Sequence, residues 1–341
     1  MALLSDSEKD ALYIEQMVFH VVGPGHNEPV LLEEISPPVY TDFFLERVRS
    51  ASGGNIFLFK TQSSTEECLR RIEADPSRFA KESEFLAREF HRAHVKRSSD
   101  GAFFVFRLAA NGSNFFCLIK YDNEDVVRYL IQSSNGRKQA QLQRFQETFV
   151  KKPEAMQKVA LVRLDNGRGG SISVRDRTNQ SHISDYFARF LDVRRQQSSD
   201  DLTKKLVDVC RSTLRTHRSL LPEAIKRSAV SHVYEMLRHI GEFDPHDESQ
   251  FIALFGLPEN KSEILSTFRR ELKKAGMDEE VFKVSGTQIP VIKKRILETA
   301  EGVKITYDDN SQGTIKQDNT ADGGLKITIT TSRLVQDDVD T

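Results

Sequence analysis

The side chains with the clearest capacity for chemistry in this sequence are the cationic groups of its middle third. Residues 137–227 contain 20 Lys and Arg against 10 Asp and Glu, a net charge of +10. The flanks are acidic, at −5 over residues 1–136 and −6 over residues 228–341, so that the whole chain sums to −1. Charge segregated in this way creates a field that attracts a partner of opposite sign. The composition therefore predicts a polyanion as the partner of the central segment.

Ten of the central cations are predicted to hold DNA phosphates, which proteins bind largely without reading sequence. They are Arg163, Arg168, Arg175, Arg177, Arg189, Arg194, Arg195, Lys204, Lys205 and Arg211. Four polar neighbours can donate further hydrogen bonds to phosphate oxygens, namely Asn166, Asn179, Gln180 and Ser181. Local salt bridges are the alternative use of these cations, because carboxylates such as Asp192 and Asp208 lie nearby in sequence. Both interpretations are compatible with the sequence.

The acidic and histidine side chains give weaker signals of catalysis or metal binding. Asp165 and Asp176 lie near predicted strand ends and could hold the magnesium ion of a nuclease, but a following Glu-x-Lys is missing. His91 and His94 have a spacing that can bind metal on a helix, but no second pair completes a site. The sequence has neither a GxxxxGK[ST] phosphate loop nor a nucleophile elbow. We therefore predict no catalytic residue, no metal site and no cofactor, in a protein that is not an enzyme.

Residues 158–195 are expected to position the centre of the basic segment. Apolar runs at 159–164 and 172–174 predict two strands, and the glycines between them supply the positive φ of a hairpin turn. A polar loop that carries arginines follows at 175–181. Apolar residues then recur every three or four positions over 183–191, which predicts an amphipathic helix that buries one face.

The rest of the N-terminal region also predicts strands joined mainly by hairpins. Residues 101–121 form the clearest one, with aromatic strands on either side of an Asn-Gly turn. Strands at 17–22 and 30–35 are predicted to form another hairpin, 124–131 a short helix, and 137–150 a surface helix or a mobile segment. Because hairpins outnumber crossovers, the predicted fold class is α+β, with a mainly antiparallel sheet in the N-terminal region, a helical subdomain and C-terminal β-strands.

Three regions are predicted along the chain. Residues 1–195 form an α+β domain that contains the basic hairpin and helix, and residues 196–280 form a helical subdomain with apolar residues at helical spacing. Residues 281–341 form a region of β-strands that ends in a frayed acidic tail.

Composition limits the cellular context. The three cysteines, Cys68, Cys117 and Cys210, are far apart and odd in number, which favours a reducing cytoplasm over a disulfide framework. No apolar run approaches the length of a membrane span, and the first residues lack the pattern of a signal peptide. We expect a cytoplasmic protein that has no membrane partner.

Four stretches carry a family resemblance that runs nearly from end to end. They are GAFFVFRL at 101–108, ISDYFARFLD at 183–192, VDVCRSTL at 207–214, and GVKITYDD, GTIKQD and GGLKITITT within 302–331. In these stretches the chain resembles the bacterial nucleoid-associated proteins of the NdpA (YejK) type. It departs from them at 175–180, where one Arg is followed by polar residues instead of Gly and another basic residue. The resemblance implies a cytoplasmic, non-enzymatic protein that travels with the nucleoid and touches DNA or DNA-bound proteins, type II topoisomerases among them.

The leading hypothesis is therefore a nucleoid-associated protein that binds DNA through its central basic surface, with little dependence on sequence. The first alternative is a protein-interaction module that serves as an accessory subunit of a DNA-processing or phage-defence assembly. The second is a divergent metal-dependent nuclease that uses Asp165 and Asp176. A homodimer would suit a protein that engages a long polyanion, although the sequence shows no interface.

Overall fold

The chain forms two compact units, residues 1–288 and residues 289–341, called unit 1 and unit 2 below. A computed structural model describes residues 2–93, 99–122, 124–134, 137–148, 156–167, 169–257 and 262–335.

The helices are α1 (Asp6–Ala11), α2 (Thr41–Ala51), α3 (Ser64–Ala74), α4 (Phe79–Ala93), α5 (Asp185–Leu191), α6 (Ser199–His217), α7 (Glu223–Lys226), α8 (Ala229–His239), α9 (Glu248–Phe255) and α10 (Ser262–Lys274). The strands of unit 1 are β1 (Tyr13–Val22), β2 (Asn55–Phe59), β3 (Gly101–Ala110), β4 (Ser113–Asp122), β5 (Glu124–Ser134), β6 (Arg137–Thr148), β7 (Met156–Leu164), β8 (Gly170–Asp176), β9 (Val193–Arg195), β10 (Glu242–Phe243) and β11 (Phe282–Lys283). Those of unit 2 are β12 (Lys294–Glu298), β13 (Lys304–Asp308), β14 (Ile315–Asn319) and β15 (Leu325–Ile329).

Seven strands of unit 1 form one sheet in the order β1-β3-β4-β7-β8-β2-β9. Every neighbouring pair in this sheet is antiparallel. Helices follow the sheet, and short strand pairs close the chain. The predicted α+β fold class is therefore confirmed. The boundaries predicted at 195/196 and 280/281 stay predictions, since unit 1 holds both the sheet and the helices that follow it.

The two hairpins with Gly-containing turns are confirmed. Asn111 and Gly112 have φ values of 49° and 77°, which suit the tight turn that joins β3 to β4. Strands β7 and β8 pair from Lys158 opposite Asp176 to Leu164 opposite Gly170. In both cases the signal is local, because the turn residues alone tolerate the required positive φ.

Both faces of the sheet are covered, and phenylalanines form much of the buried surface. One apolar cluster joins residues of the sheet to Phe44 and Val48 of α2, and the other joins the opposite face to α3, α4 and α5. In the second cluster the Phe90 ring stacks on Phe103 with the centroids 4.7 Å apart. The same Phe90 ring forms a T-shaped pair with Phe190 of α5, with the centroids 5.1 Å apart. The apolar face of α5 is thus fixed against the sheet, as its spacing predicts.

The prediction of a hairpin from strands at 17–22 and 30–35 is wrong. Residues 30–35 run along the open side of β1, which is the edge strand of the sheet, but they form no regular strand. Val30 makes a single bridge to Val21, and the Ile35 N–H donates to the Met17 carbonyl at 2.9 Å. Between these two contacts the Leu32 N–H donates to the His20 ring at 3.1 Å, so the backbone bonds of a regular ladder are interrupted.

The short helix predicted at 124–131 is wrong, as is the surface helix or mobile segment predicted at 137–150, because residues 124–134 and 137–148 form the paired strands β5 and β6. Valine, isoleucine and tyrosine are frequent in the first segment, and such residues favour strands over helices. The Asn135-Gly136 dipeptide between the two strands lies outside the described residues, but its sequence is a hairpin turn signal.

The three cysteines are free thiols, and all of them are fully buried. Burial raises the pKa of Cys68, Cys117 and Cys210 well above the ordinary value. Because the thiolate is the reactive form, these side chains behave as small apolar groups in the core.

Replacement of Gly54 by Ala is expected to lower the free energy of unfolding by about 2 kcal/mol, since overpacking costs on the order of 1–3 kcal/mol. A Cβ at this position would lie 2.5 Å from the Val174 carbonyl oxygen on the neighbouring strand, where backbone must shift. The change is measured by urea unfolding followed by circular dichroism. Gly241→Ala is the matched control, because its Cβ would meet nothing within 4 Å. Equal losses in the two variants would contradict the steric explanation.

Candidate nucleic-acid interface

A buried carboxylate, that of Asp176, sets the conformation of the basic loop, which we define as residues 177–184. Asp176 ends β8, and its carboxylate accepts hydrogen bonds from the Thr178 backbone N–H at 2.9 Å and the Thr178 hydroxyl at 2.7 Å. It also accepts one from the Ser184 backbone N–H at 2.7 Å. Since Ser184 immediately precedes α5, these bonds tie both ends of the basic loop together. The side chains that the loop carries therefore have defined positions.

Lys158 lies opposite Asp176 on β7 and forms an ion pair with it in the interior. Neither side chain is more than 2% exposed. The Lys158 ammonium also donates to the Thr178 hydroxyl at 2.6 Å and lies 5.6 Å from the centre of the Tyr186 ring. Burial alone would raise the pKa of Asp176, but the hydrogen bonds that it accepts, with that from Lys158 first, hold the pKa below its ordinary value.

Arg175 and Arg177 are brought together at a cavity of about 580 Å³. The cavity lies beside α2 and is closed by residues from the helical part of unit 1. Its lining is Glu46, Arg47, Ser50, Gly53, Gly54, Asn55, Met156, Val159, Val174, Arg175, Asp176, Arg177, Gln180, Asp244, His246, Glu279 and Val281. The lining thus combines two of the predicted phosphate contacts with several carboxylates.

The carboxylates of the lining engage its cations. Glu279 Oε2 lies 3.9 Å from Arg175 Nη2 and 3.0 Å from His246 Nε2. Arg175 Nη2 also donates to the Gly53 carbonyl at 2.8 Å. The Arg175 guanidinium is therefore held by protein groups although its side chain is 45% exposed, and Arg177 is an exposed residue as well. A phosphate inside the cavity would meet Glu46 and Glu279, so the exposed rim is the better place for an anion.

The end of the basic loop lies in a positive field. Burial lowers the pKa of His182, and the charges of Arg195 and Lys283 lower it further, against an opposing contribution from Glu242. The nearby Ser181 is fully buried, so its hydroxyl cannot donate to a phosphate, and the contact predicted for it from the sequence is wrong.

Arg163 and Arg195 are structural partners of acidic residues far away in sequence. Arg195 is 11% exposed, and its Nη2 donates to Glu280 Oε2 at 2.6 Å and to the Val281 carbonyl at 2.8 Å. Arg163 Nη2 donates to the Glu8 carboxylate at 2.7 Å. Both guanidinium groups link different parts of unit 1, with Arg195 largely shielded from solvent and the Arg163 side chain still 36% exposed.

Two further predicted contacts, Arg189 on α5 and Arg194 on the edge strand β9, are exposed. Arg189 Nε donates to the Asp185 carbonyl on its own helix at 3.4 Å. Arg194 and Arg195 are adjacent on β9 and point to opposite sides of the strand, so Arg194 is exposed while Arg195 is largely shielded from solvent. Arg168 lies outside the described residues.

Helix α6 presents a line of cations to solvent. Lys204, Arg211 and Arg215 are exposed and are separated by seven and four residues, which places them within roughly 40° of one another around the helix axis and spreads them over about 16 Å. Lys205 is exposed as well and donates to Gln197 at 2.6 Å. Arg211 Nη1 lies 3.9 Å from Asp208 Oδ1 and its Nε donates to the Tyr234 hydroxyl, while the side chain as a whole stays 43% exposed. We call Lys204, Arg211 and Arg215 the α6 line.

The basic segment built in this way falls inside the match to a protein family. A family model described as nucleoid-associated protein YejK matches residues 26–329 of the 341. The chain belongs to this family. The resemblance seen in the sequence is thereby confirmed, and membership supports a nucleoid-associated role. No individual curated protein matches the chain.

The match to the YejK family spans residues of both units and the whole basic segment. Within the described part of the chain, no helix is long and apolar enough to cross a membrane.

The two carboxylates considered as nuclease ligands do not come together in this YejK-family chain. Asp165 follows the end of β7, next to the rung that joins Leu164 to Gly170, and is exposed. Asp176 lies at the opposite end of the same hairpin, about 20 Å away at the rise of a strand, and is buried against Lys158. Among the described residues, no group of three or more His, Cys, Asp or Glu is arranged to hold a metal ion.

Sequence reasoning missed the carboxylates that hold the central arginines. Glu8 is 155 residues from Arg163, and Glu280 is 85 residues from Arg195. Neither separation leaves a signal in composition or periodicity, because only the closed sheet brings the partners together. The acidic neighbours that the sequence did offer account for fewer contacts, such as that between Asp208 and Arg211.

Proposed function

We propose that this nucleoid-associated chain binds DNA directly, by gripping the phosphate backbone with little dependence on base sequence. The α6 line is the observation that carries this function. Its three cations are exposed on one side of a single helix: Lys204 and Arg215 lie at the two ends of the line, and Arg211 between them stays 43% exposed while its Nε donates to the Tyr234 hydroxyl. Arg195, by comparison, is only 11% exposed. Exposed cations of this kind contact phosphates by releasing condensed counterions, a source of affinity common to all DNA sequences.

The spacing of the α6 line suits a nucleic-acid backbone. Phosphates of one strand of duplex DNA rise by 3.4 Å each along the helix axis while the strand turns around it, so a straight span of about 16 Å contacts only the few phosphates on the facing side. Arg177 and Arg194 are exposed as well and supply further guanidinium groups, which bind phosphate oxygens in a bidentate manner. Helix α6 begins with Asp200 and Asp201 and carries its cations after them, so contact is expected along its middle and end.

The salt dependence of DNA binding tests this function. If roughly six phosphates are neutralised, log affinity for duplex DNA should fall with log salt with a slope of about −5. Replacing Lys204, Arg211 and Arg215 by Gln should make the slope shallower by about 2 to 3, because each lost contact removes about 0.9. The measurement is fluorescence anisotropy of labelled duplexes of unrelated sequence at several salt concentrations.

The matched control removes the same number of charges from another helix. Arg269, Arg270 and Lys273 are exposed on α10, and their replacement by Gln should leave the slope unchanged. Equal effects of the two triple variants would show that only net charge matters and would contradict the assignment to α6. No binding by the unmodified chain would instead favour the accessory-subunit hypothesis, for which the test is copurification of protein partners that survives nuclease treatment.

A further inference from the structure

Unit 2 consists of two separate hairpins that bury little of their own surface. Strand β12 pairs only with β13, and β14 only with β15, among the described residues. Between residues 290 and 335 no described residue is buried, and Ile296 is 65% exposed. An isolated two-stranded hairpin is marginally stable in water, and an open strand edge offers unpaired backbone groups to another strand. Unit 2 therefore has the form of a surface that is completed by a partner.

The outer edge of β13 can be identified from its hydrogen bonds. The Val303 carbonyl accepts the Thr299 N–H at 3.0 Å, and the Asp309 N–H donates to the Lys293 carbonyl at 3.0 Å, so residues 303 and 309 face β12. Backbone groups alternate in direction along an antiparallel strand. The N–H and carbonyl groups of Lys304, Thr306 and Asp308 consequently point away from β12.

The side chains of β13 are complementary to the same strand read backwards. Its sequence is Lys-Ile-Thr-Tyr-Asp, with opposite charges at equal distances from the central Thr306. Antiparallel pairing of this strand with itself places Lys304 opposite Asp308, Ile305 opposite Tyr307 and Thr306 opposite Thr306. Opposite-charge, aromatic with β-branched, and Thr with Thr pairs all stabilise antiparallel neighbours. A two-fold axis through the centre of the strand creates each of these pairs twice, apart from the central one.

We infer that two copies of this chain associate through β13, pairing edge to edge about a two-fold axis at Thr306. The product is a continuous four-stranded sheet in which each β13 is flanked by its own β12 and by the second copy's β13. The outward groups of Lys304, Thr306 and Asp308 then form about six backbone hydrogen bonds between the copies. The half-buried face that contains Leu297, Ile305 and Tyr307 is doubled in area by the same pairing.

Strand β12 is less suited than β13 to antiparallel pairing with a second copy of itself. It also begins with Lys294 and ends with Glu298, but self-pairing would place Arg295 opposite Leu297. Arg295 already forms an ion pair with Asp309 beside the hairpin. Lys304, in contrast, has a single exposed ion pair, 3.3 Å from Glu298, in which both side chains remain more than half exposed. Exposed pairs of this kind contribute little, so Lys304 is able to form a second pair across the axis.

A mixing experiment on the full-length chain tests the two-fold charge pattern. Lys304→Glu and Asp308→Lys each place like charges opposite one another in a homodimer, so each variant alone should dissociate, with the dimer Kd raised roughly tenfold or more. Mixed in equal amounts, the two variants should form a heterodimer, because every pair across the axis is again of opposite charge. Analytical ultracentrifugation distinguishes the 38.8 kDa chain from a species of twice that mass. A mixture that stays monomeric under conditions in which the unmodified chain dimerises would overturn the inference, as would an unmodified chain that stays monomeric up to about 100 µM.

Two proline variants distinguish the loss of the outer edge of β13 from general damage to the β12–β13 hairpin. Thr306→Pro removes the central outward N–H of β13, and Ile296→Pro removes the outward N–H opposite it on β12. The two substitutions disturb the β12–β13 hairpin to a similar extent, but only the first should abolish the dimer. Loss of the dimer in both variants, or in the β12 variant alone, would show that another surface holds the copies together.

Discussion

Replacement of Lys158 by Met is expected to lower the free energy of unfolding by about 3–5 kcal/mol, the cost of leaving one member of a buried ion pair without its partner. The Asp176 side chain is fully buried and would keep only the hydrogen bonds from Thr178 and Ser184. The basic loop depends on those bonds for its conformation, so the variant should also expose residues 177–184 to proteolysis. Urea unfolding followed by circular dichroism measures the loss.

A double-mutant cycle isolates the pair. Asp176→Asn alone leaves the Lys158 ammonium buried without its counter-ion, and the double variant with Lys158→Met removes both charges, so that part of the lost stability should return. The pH dependence of the free energy of unfolding provides a second test of the ion pair. Because the pKa of Asp176 in the folded chain lies below its ordinary value of 3.8, the carboxylate stabilises the fold fully above that pH. Its contribution is lost as the pH falls from there through the folded pKa. Additive losses in the cycle would show that the two side chains act independently.

Replacement of Glu280 by Leu is expected to cost about 3–5 kcal/mol as well, because it leaves the Arg195 guanidinium buried without a counter-charge. Glu280 is 2% exposed, and besides its contact with Arg195 it accepts the Ile56 backbone N–H at 3.0 Å. Since Ile56 lies on β2 of the main sheet, the substitution removes a link between the sheet and the segment that follows α10. Thermal and urea unfolding of the full-length chain give the change.

Two neighbouring arginines provide the control for this result. Arg195→Met should destabilise the chain to a similar degree, whereas Arg194→Met on the same strand should change stability by no more than about 0.5 kcal/mol, as expected for an exposed side chain. In DNA binding the order should reverse, with Arg194→Met giving the larger change in salt dependence among chains that remain folded. Similar stability losses at both positions would contradict the distinction between a structural and an exposed arginine.

The parts of the fold that could be predicted from the sequence are those fixed by local chemistry. The β3–β4 turn needs positive φ at Asn111 and Gly112, and few other residue types provide it. The apolar spacing on α5 likewise needs only one turn of helix to be recognised. Where two local signals compete, as between apparent helical spacing and β-branched content in β5, the pattern alone does not decide.

The candidate site could be predicted only in outline. Counting charges located the basic segment, but the count does not distinguish Arg194, which is exposed, from Arg195, which is held by Glu280. The difference comes from pairings across many tens of residues in sequence, which exist only after the sheet has formed. The α6 line was within reach of the sequence, since helical spacing alone aligns Lys204 with Arg211.

The burial of every native thiol makes this chain suitable for site-specific labelling. Cys68, Cys117 and Cys210 are inaccessible to maleimide reagents in the folded state, because their sulfur atoms are fully buried and remain protonated. A single cysteine introduced at an exposed position such as Arg194 would therefore be the one site that accepts a fluorophore. Energy transfer from that dye to labelled DNA, or to a second labelled chain, could then be followed without first removing the native cysteines.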